Sequence, residues 1–355
     1  MKLSKCHKIV LLLFAATVLM ALNAFRSKNG QLAPGQEQAV IELGRHLFYD
    51  NRISATGGKS CATCHDQRFA FTDGYRRSLG LYADVLKHNS PPLFNLPYYR
   101  SYTWDNASLE TLEQQLLLPL FSNNPPEMGL AGIEPQIITR MQTDTLYPVL
   151  FQNAFGQNSF NMQNLITALA AFCNSIESFN SPFDKDQLTE SAERGRLLFI
   201  SDRLRCFNCH AGPNFNQNPD KEGATGNFAN VGLYNTDTLG AYPAHDQGLI
   251  AHTNSSTDMG KFRTPTLRNL AFTAPYFHDG SAQSLKEVIE IYNRGGRHWT
   301  GTLFSGDGRK NPKKNPDIQP LNLTLEEKTD LINFLMSLND SSLLINPQYA
   351  NPFQF

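Results

Sequence analysis

Cysteine, cysteine and histidine recur at one fixed spacing: CATCH from Cys61 to His65, and CFNCH from Cys206 to His210. Thiols separated by two residues can close a disulfide, hold a metal or add to an electrophile. A histidine directly after the second thiol narrows the choice, because Cys-x-x-Cys-His is the attachment signal for c-type haem. The thiols add to the porphyrin vinyl groups and the imidazole binds the iron. Cys61, Cys64 and His65 are thereby assigned to one haem, and Cys206, Cys209 and His210 to a second. Paired disulfides are the competing reading for an exported chain; the histidine that follows both pairs favours haem. Cys173 sits in an apolar, helix-like stretch and reads as a small buried side chain.

The elements that must position these motifs repeat as well. AVIELGRHLFYD precedes the first and SAERGRLLFISD the second, and both contain Gly-Arg-x-Leu-Phe: Gly44, Arg45, Leu47 and Phe48, then Gly195, Arg196, Leu198 and Phe199. Val40, Leu43 and Leu47 fall at helical spacing. Each copy reads as a helix that leads through a loop into the haem-binding turn. The expected fold is therefore mainly α, with two tandem cytochrome c-like domains, each enclosing one covalent c-type haem. The polar stretch FNSPFDKDQ, Phe179 to Gln187, separates them, giving domains at 30–182 and 188–345. A last helix is expected over Thr324 to Leu338, with Thr324 as cap and Glu327 completing a capping box.

The 355 residues are enough for two cores, and a formal net charge of −1 gives no sign of a nucleic-acid partner. With 24 Gly and 20 Pro, much of the chain should be loop. Lys2, Lys5 and Lys8 precede an apolar run from Ile9 to Leu22, short for a membrane span. Residues 1–25 read as a secretory signal, cleaved or retained as an N-terminal anchor. Either form sends the chain to the periplasm.

Further blocks accompany the two motifs: HNSPPLFN (His88 to Asn95), TWDNASLETLEQQ (Thr103 to Gln115), PPEMG (Pro125 to Gly129) and FRTPTLRNLAFTAPYFHDG (Phe262 to Gly280). With them the chain resembles the bacterial di-haem cytochrome c peroxidase and MauG superfamily over nearly its whole length after the signal. The resemblance implies that the first haem meets peroxide and the second transfers electrons. It implies a distal side built from Gln115, Pro119 and Glu127 around the iron held by His65. A carboxylate there can take the proton from one peroxide oxygen and return it to the other, and an amide can orient the peroxide. Trp104 corresponds to an indole that relays electrons between the haems; WDGR in relatives reads WDNA here, which removes an arginine. Asn89, Thr273 and Pro275 match positions that hold one calcium ion between the domains through oxygen donors.

The sixth ligand of the second iron is a Met in the peroxidases and a Tyr in MauG, and Tyr292 stands at that place. A phenolate favours ferric and higher states, whereas a thioether raises the potential. His278 and His298 are lesser candidates. Many relatives carry a loop histidine that blocks the first haem until the second is reduced. Leu81 stands there, so the site is expected to be open, and His88 replaces an arginine before Asn-Ser-Pro. The resemblance thus implies a peroxidase that reduces hydrogen peroxide with electrons from a small cytochrome c or cupredoxin, within what is often a homodimer. The alternative is a MauG-like oxidase that modifies a partner protein, favoured by Tyr292 but lacking a Trp in SDRLRCFNCH. A non-enzymatic di-haem carrier or sensor is the remote alternative, since the distal Gln115 and Glu127 make little sense for it.

Overall fold

In a computed structural model of the chain, each Cys-x-x-Cys-His turn is preceded by a helix that packs against a helix from later in the sequence. The structure describes residues 34–219, 223–300 and 304–353, so the apolar segment within residues 1–25 lies outside the described residues. Helix α1, Pro34–Tyr49, leads to the first turn; α2 is Leu112–Phe121, α3 Glu134–Gln142, α4 Tyr147–Phe155 and α5 Met162–Ser175. Helix α6, Glu190–Phe199, leads to the second turn; α7 is Ile250–Thr253, α8 Leu285–Asn293 and α9 Leu325–Met336. The described strands are pairs of residues: Phe228–Ala229 (β1) against Phe262–Arg263 (β2), and His298–Trp299 (β3) against Gly306–Asp307 (β4), both antiparallel. The fold is mainly helical with little strand.

The repeated Gly-Arg-x-Leu-Phe does the same work twice. Helix α1 crosses α5 so closely that a Cβ on Gly44 would lie 1.9 Å from the Ala168 carbonyl oxygen, and α6 crosses α9 so closely that one on Gly195 would lie 2.0 Å from the Asp330 carbonyl. Only hydrogen fits at either crossing. The arginine after each glycine pairs one turn back, Arg45 with Glu42 at 2.7 Å and Arg196 with Glu193 at 2.6 Å. The closing Phe48 and Phe199 are buried, each in its own apolar cluster.

The first cluster gathers α1, α2, α4 and α5; the second gathers α6, α9 and the start of α8. Helix α9 starts as its sequence suggests: Thr324 accepts from the Glu327 amide and Glu327 from the Thr324 amide. Two segments pack far from their own neighbours in sequence, one of them into a third cluster. Trp104 packs with Leu233, Tyr242, Phe262 and Ile291, far along the chain from its own neighbours. In return the C-terminal tail docks on the first cluster, where Leu343 and Tyr349 are buried and the Tyr49 hydroxyl donates to the Tyr349 carbonyl at 2.6 Å.

Candidate functional site

Both haem-attachment turns are short 3-10 helices, Cys61–Thr63 and Cys206–Asn208. In each, the histidine amide closes back on the first cysteine carbonyl, His65 on Cys61 at 3.0 Å and His210 on Cys206 at 2.9 Å. Among the described residues no disulfide joins the cysteines. Burial pushes the Cys61 and Cys206 thiols up to about 12. These are protonated, inward-facing thiols, not exposed redox pairs.

The histidines carry the same second contact. His65 Nδ1 lies 2.9 Å from the Phe71 carbonyl and His210 Nδ1 lies 2.7 Å from the Phe215 carbonyl. A carbonyl only accepts, so Nδ1 carries the proton and Nε2 keeps its lone pair for a metal. Burial holds both imidazoles below the usual histidine range, His210 at about 4, so they stay neutral. This is the donor arrangement an axial haem ligand needs.

Around the second motif lies a large, mostly apolar cavity. Cys206, Cys209, His210, Leu233, Phe262 and Tyr292 are among the residues that line it. Tyr292 sits on α8, and burial, with the nearby Cys209 and Cys206 thiols, pushes its phenol up. Arg263, buried on the same wall, has no partner for Nη1. An unpaired buried guanidinium nitrogen calls for an anion, and haem propionates are of that kind. The residues therefore fit the group. Met259 is not among the residues that line the cavity.

Near the first motif lie the residues expected on its distal side. Glu127 is close enough for its charge to act on both the Cys61 and Cys64 thiols. Burial raises its carboxyl above the usual range, while Lys59 pulls it back down. The loop carrying Glu127 is tied to α2 by the Met128 amide on the Pro119 carbonyl (3.0 Å) and the Leu130 amide on the Leu120 carbonyl (2.9 Å). Gln115 lies one turn before Pro119 on that helix, and its Oε1 is buried with no partner. Leu81 sits against this loop, donating to the Pro126 carbonyl at 2.7 Å with its side chain against Gly129. A leucine there offers iron no ligand.

Trp104 is buried between the two motifs. Its Nε1 donates to the Asn89 carbonyl at 2.8 Å, and the Arg263 guanidinium lies 5.3 Å from its ring centroid. The next residue along from Asn89, Ser90, places Oγ 3.2 Å from His65 Nδ1 while bonding the Cys64 carbonyl at 2.7 Å. Ser90 and Arg263 have no assigned role in the sequence reading, although each lies within a quoted block.

Asn89, Thr273 and Pro275 line one wall of the same cavity. Asn89 Nδ2 donates to the Tyr75 carbonyl at 2.8 Å, which leaves Oδ1 as its available oxygen. Oxygen donors suit calcium. Within the WDNA stretch, Asp105 pairs with Lys87 at 2.5 Å. His88 lies 3.0 Å from Asp246, His278 is buried against Phe262, and His298 is exposed on β3.

Comparison with known proteins gives concordant results. A family described as di-haem cytochrome c peroxidase matches residues 38–194. The methylamine utilization protein MauG of Methylophilus methylotrophus is 30% identical over 335 residues, covering 90% of this chain and 89% of its own. The cytochrome-c peroxidase IdrP1 of Pseudomonas sp. (strain SCT) is 31% identical over 349 residues, covering 90% of this chain and 86% of its own. The crystal structure of a MauG-like protein associated with microbial copper homeostasis superposes with a TM-score of 0.87 at 38% identity, covering 92% of this chain and 95% of that one.

Proposed function

The chain belongs to the di-haem cytochrome c peroxidase and MauG family, and from that premise we propose that it is an exported, periplasmic peroxidase. It reduces hydrogen peroxide to two waters with two protons and two electrons, the electrons coming from a small donor such as a cytochrome c or cupredoxin. The observation that carries this reading is Glu127: a half-buried carboxyl with a raised pKa, close enough for its charge to act on the first pair of haem-attachment thiols.

When bound, the first haem supplies the iron at which peroxide is held and reduced. Glu127 takes the proton from the near peroxide oxygen and returns it to the far one. Gln115 offers its unpartnered Oε1 to a peroxide O–H and so orients it. Pro119 acts through its carbonyl, which anchors the Glu127 loop to α2. His65 keeps Nε2 toward the metal because Nδ1 is committed to the Phe71 carbonyl. Leu81 leaves the distal side open, so no prior reduction is needed.

In this reading two cytochrome c-like domains, 30–182 and 188–345, each hold one haem c. Tyr292 would bind the second iron, Trp104 would relay electrons between the haems, and Asn89, Thr273 and Pro275 would hold one calcium ion. A MauG-like oxidation of a partner protein is the second reading, favoured by the phenol of Tyr292 lining the cavity with His210. Steady-state oxidation of a reduced small cytochrome c by the diferric protein and peroxide separates the two. The peroxidase turns over; a partner-specific oxidase does not, and keeps its oxidised state after peroxide.

A further inference from the structure

Apart from the haem-attachment motifs and the oxygen donors of Asn89, Thr273 and Pro275, three distant segments bring another set of donor atoms together. His88 Nε2 lies 3.0 Å from Asp246 Oδ1 and 3.9 Å from Asp105 Oδ2. The donor atoms of all three side chains fall within 4.8 Å of one another. Both aspartates are buried, 8% and 3% exposed. Lys87 Nζ bridges them, 2.5 Å from Asp105 Oδ2 and 3.4 Å from Asp246 Oδ1.

Two buried carboxylates this close demand positive charge between them. Lys87 supplies it here, but its side chain is 37% exposed. It has a flexible stem and a path to water. We propose that His88, Asp105 and Asp246 form a binding site for a divalent transition cation of the zinc class, in which Lys87 holds the cation's place and swings outward when the metal enters.

The geometry and the chemistry agree with this. Tetrahedral zinc with bonds of about 2.0–2.2 Å sets its donors about 3.3–3.5 Å apart. The separations of 3.0 and 3.9 Å bracket that value, and small side-chain rotations close the difference. One imidazole and two carboxylates, with water in the fourth position, suit a borderline cation better than calcium, which prefers an all-oxygen shell. The outer contacts are also in place. His278 Nε2 lies 3.4 Å from the second oxygen of Asp246, and its ring is stacked on Phe262 with centroids 3.4 Å apart. A ligating carboxylate is typically held this way by a second contact. His252, at the rim, lies 3.7 Å from Asp105 Oδ1.

The site would tie Asp105, next to Trp104, to the segment carrying Asp246. The test is calorimetric titration of the full di-haem protein, kept saturated with calcium, with Zn2+ alone as the probe. One zinc per chain should bind and should resist excess calcium. Lys87→Met should tighten binding by about tenfold, a gain that misfolding cannot produce. His88→Ala and Asp246→Asn should abolish stoichiometric binding with the haem spectrum unchanged, and His278→Ala should weaken it by about 10–100-fold. Two results would overturn the proposal. One is no stoichiometric zinc on either the wild type or Lys87→Met. The other is binding that His88→Ala and Asp246→Asn leave intact, which would locate the zinc elsewhere.

Discussion

The indole of Trp104 donates to the carbonyl of Asn89 at 2.8 Å, and this bond joins two parts of the molecule. Trp104 packs with side chains of the second half, whereas the residue after Asn89 touches His65. The path His65, Ser90, Asn89, Trp104, Arg263 runs from the histidine of the first motif to the wall of the cavity around the second.

Trp104→Phe keeps an aromatic core side chain but leaves the Asn89 carbonyl unpaired. It should cost about 1–3 kcal/mol of stability, read from chemical denaturation. Donor-driven turnover should fall, while the first reaction with peroxide, followed by stopped flow, keeps its rate. Equal loss in both would assign Trp104 to packing alone.

Glu127→Gln removes the proposed proton carrier without changing shape. The rate constant for reaction with peroxide should drop about 10²–10⁴-fold. Because burial raises this carboxyl, the sign of the pH dependence follows. The working base is the carboxylate, and it is lost as pH falls through a pKa above the ordinary glutamate value. The wild-type rate should therefore decline toward acid earlier than a solvent-exposed glutamate would allow. The variant should lack that limb.

Gly44→Ala and Gly195→Ala test the repeat. Each added methyl would meet a backbone carbonyl, at 1.9 and 2.0 Å. Each should cost about 1–3 kcal/mol or more through forced separation of the helices, measured as a lowered midpoint of thermal unfolding. Gly132, where a Cβ meets nothing within 4 Å but φ is +83°, is a poor control; Gly35, unobstructed in α1, is the proper one.

Much of this was legible in the sequence because it is local. The Cys-x-x-Cys-His turns, the Thr324–Glu327 capping box and the repeated Gly-Arg-x-Leu-Phe each depend on residues within a few positions of one another. The glycines also carried a message that their own neighbours could not spell out: why Gly is needed appears only when α5 and α9 arrive. Arg263, Ser90 and the Lys87, His88, Asp105 and Asp246 cluster were not legible, because each partner comes from a distant segment. The tail shows the same limit. Leu343 lies at the end of the second unit and Tyr349 just beyond it, yet both are buried in the first cluster.

If the Tyr292 phenol binds the second iron as proposed, Tyr292→Met exchanges a hard oxygen donor for a thioether at α8. The potential of the second haem should rise, measured by spectroelectrochemical titration of the assembled protein. Tyr292→Phe should leave a five-coordinate iron in the ferric spectrum. An unchanged potential and spectrum in both variants would mean that the phenol packs beside the iron without binding it.

The most direct test of the central claim is steady-state turnover of the diferric protein with hydrogen peroxide and a reduced small cytochrome c, with no prior reduction. Glu127, whose charge acts on the first haem-attachment thiols, and Leu81 beside its loop predict immediate, sustained oxidation of the donor. A lag removed only by pre-reduction would contradict the open first site. No turnover in either state would contradict the peroxidase assignment itself.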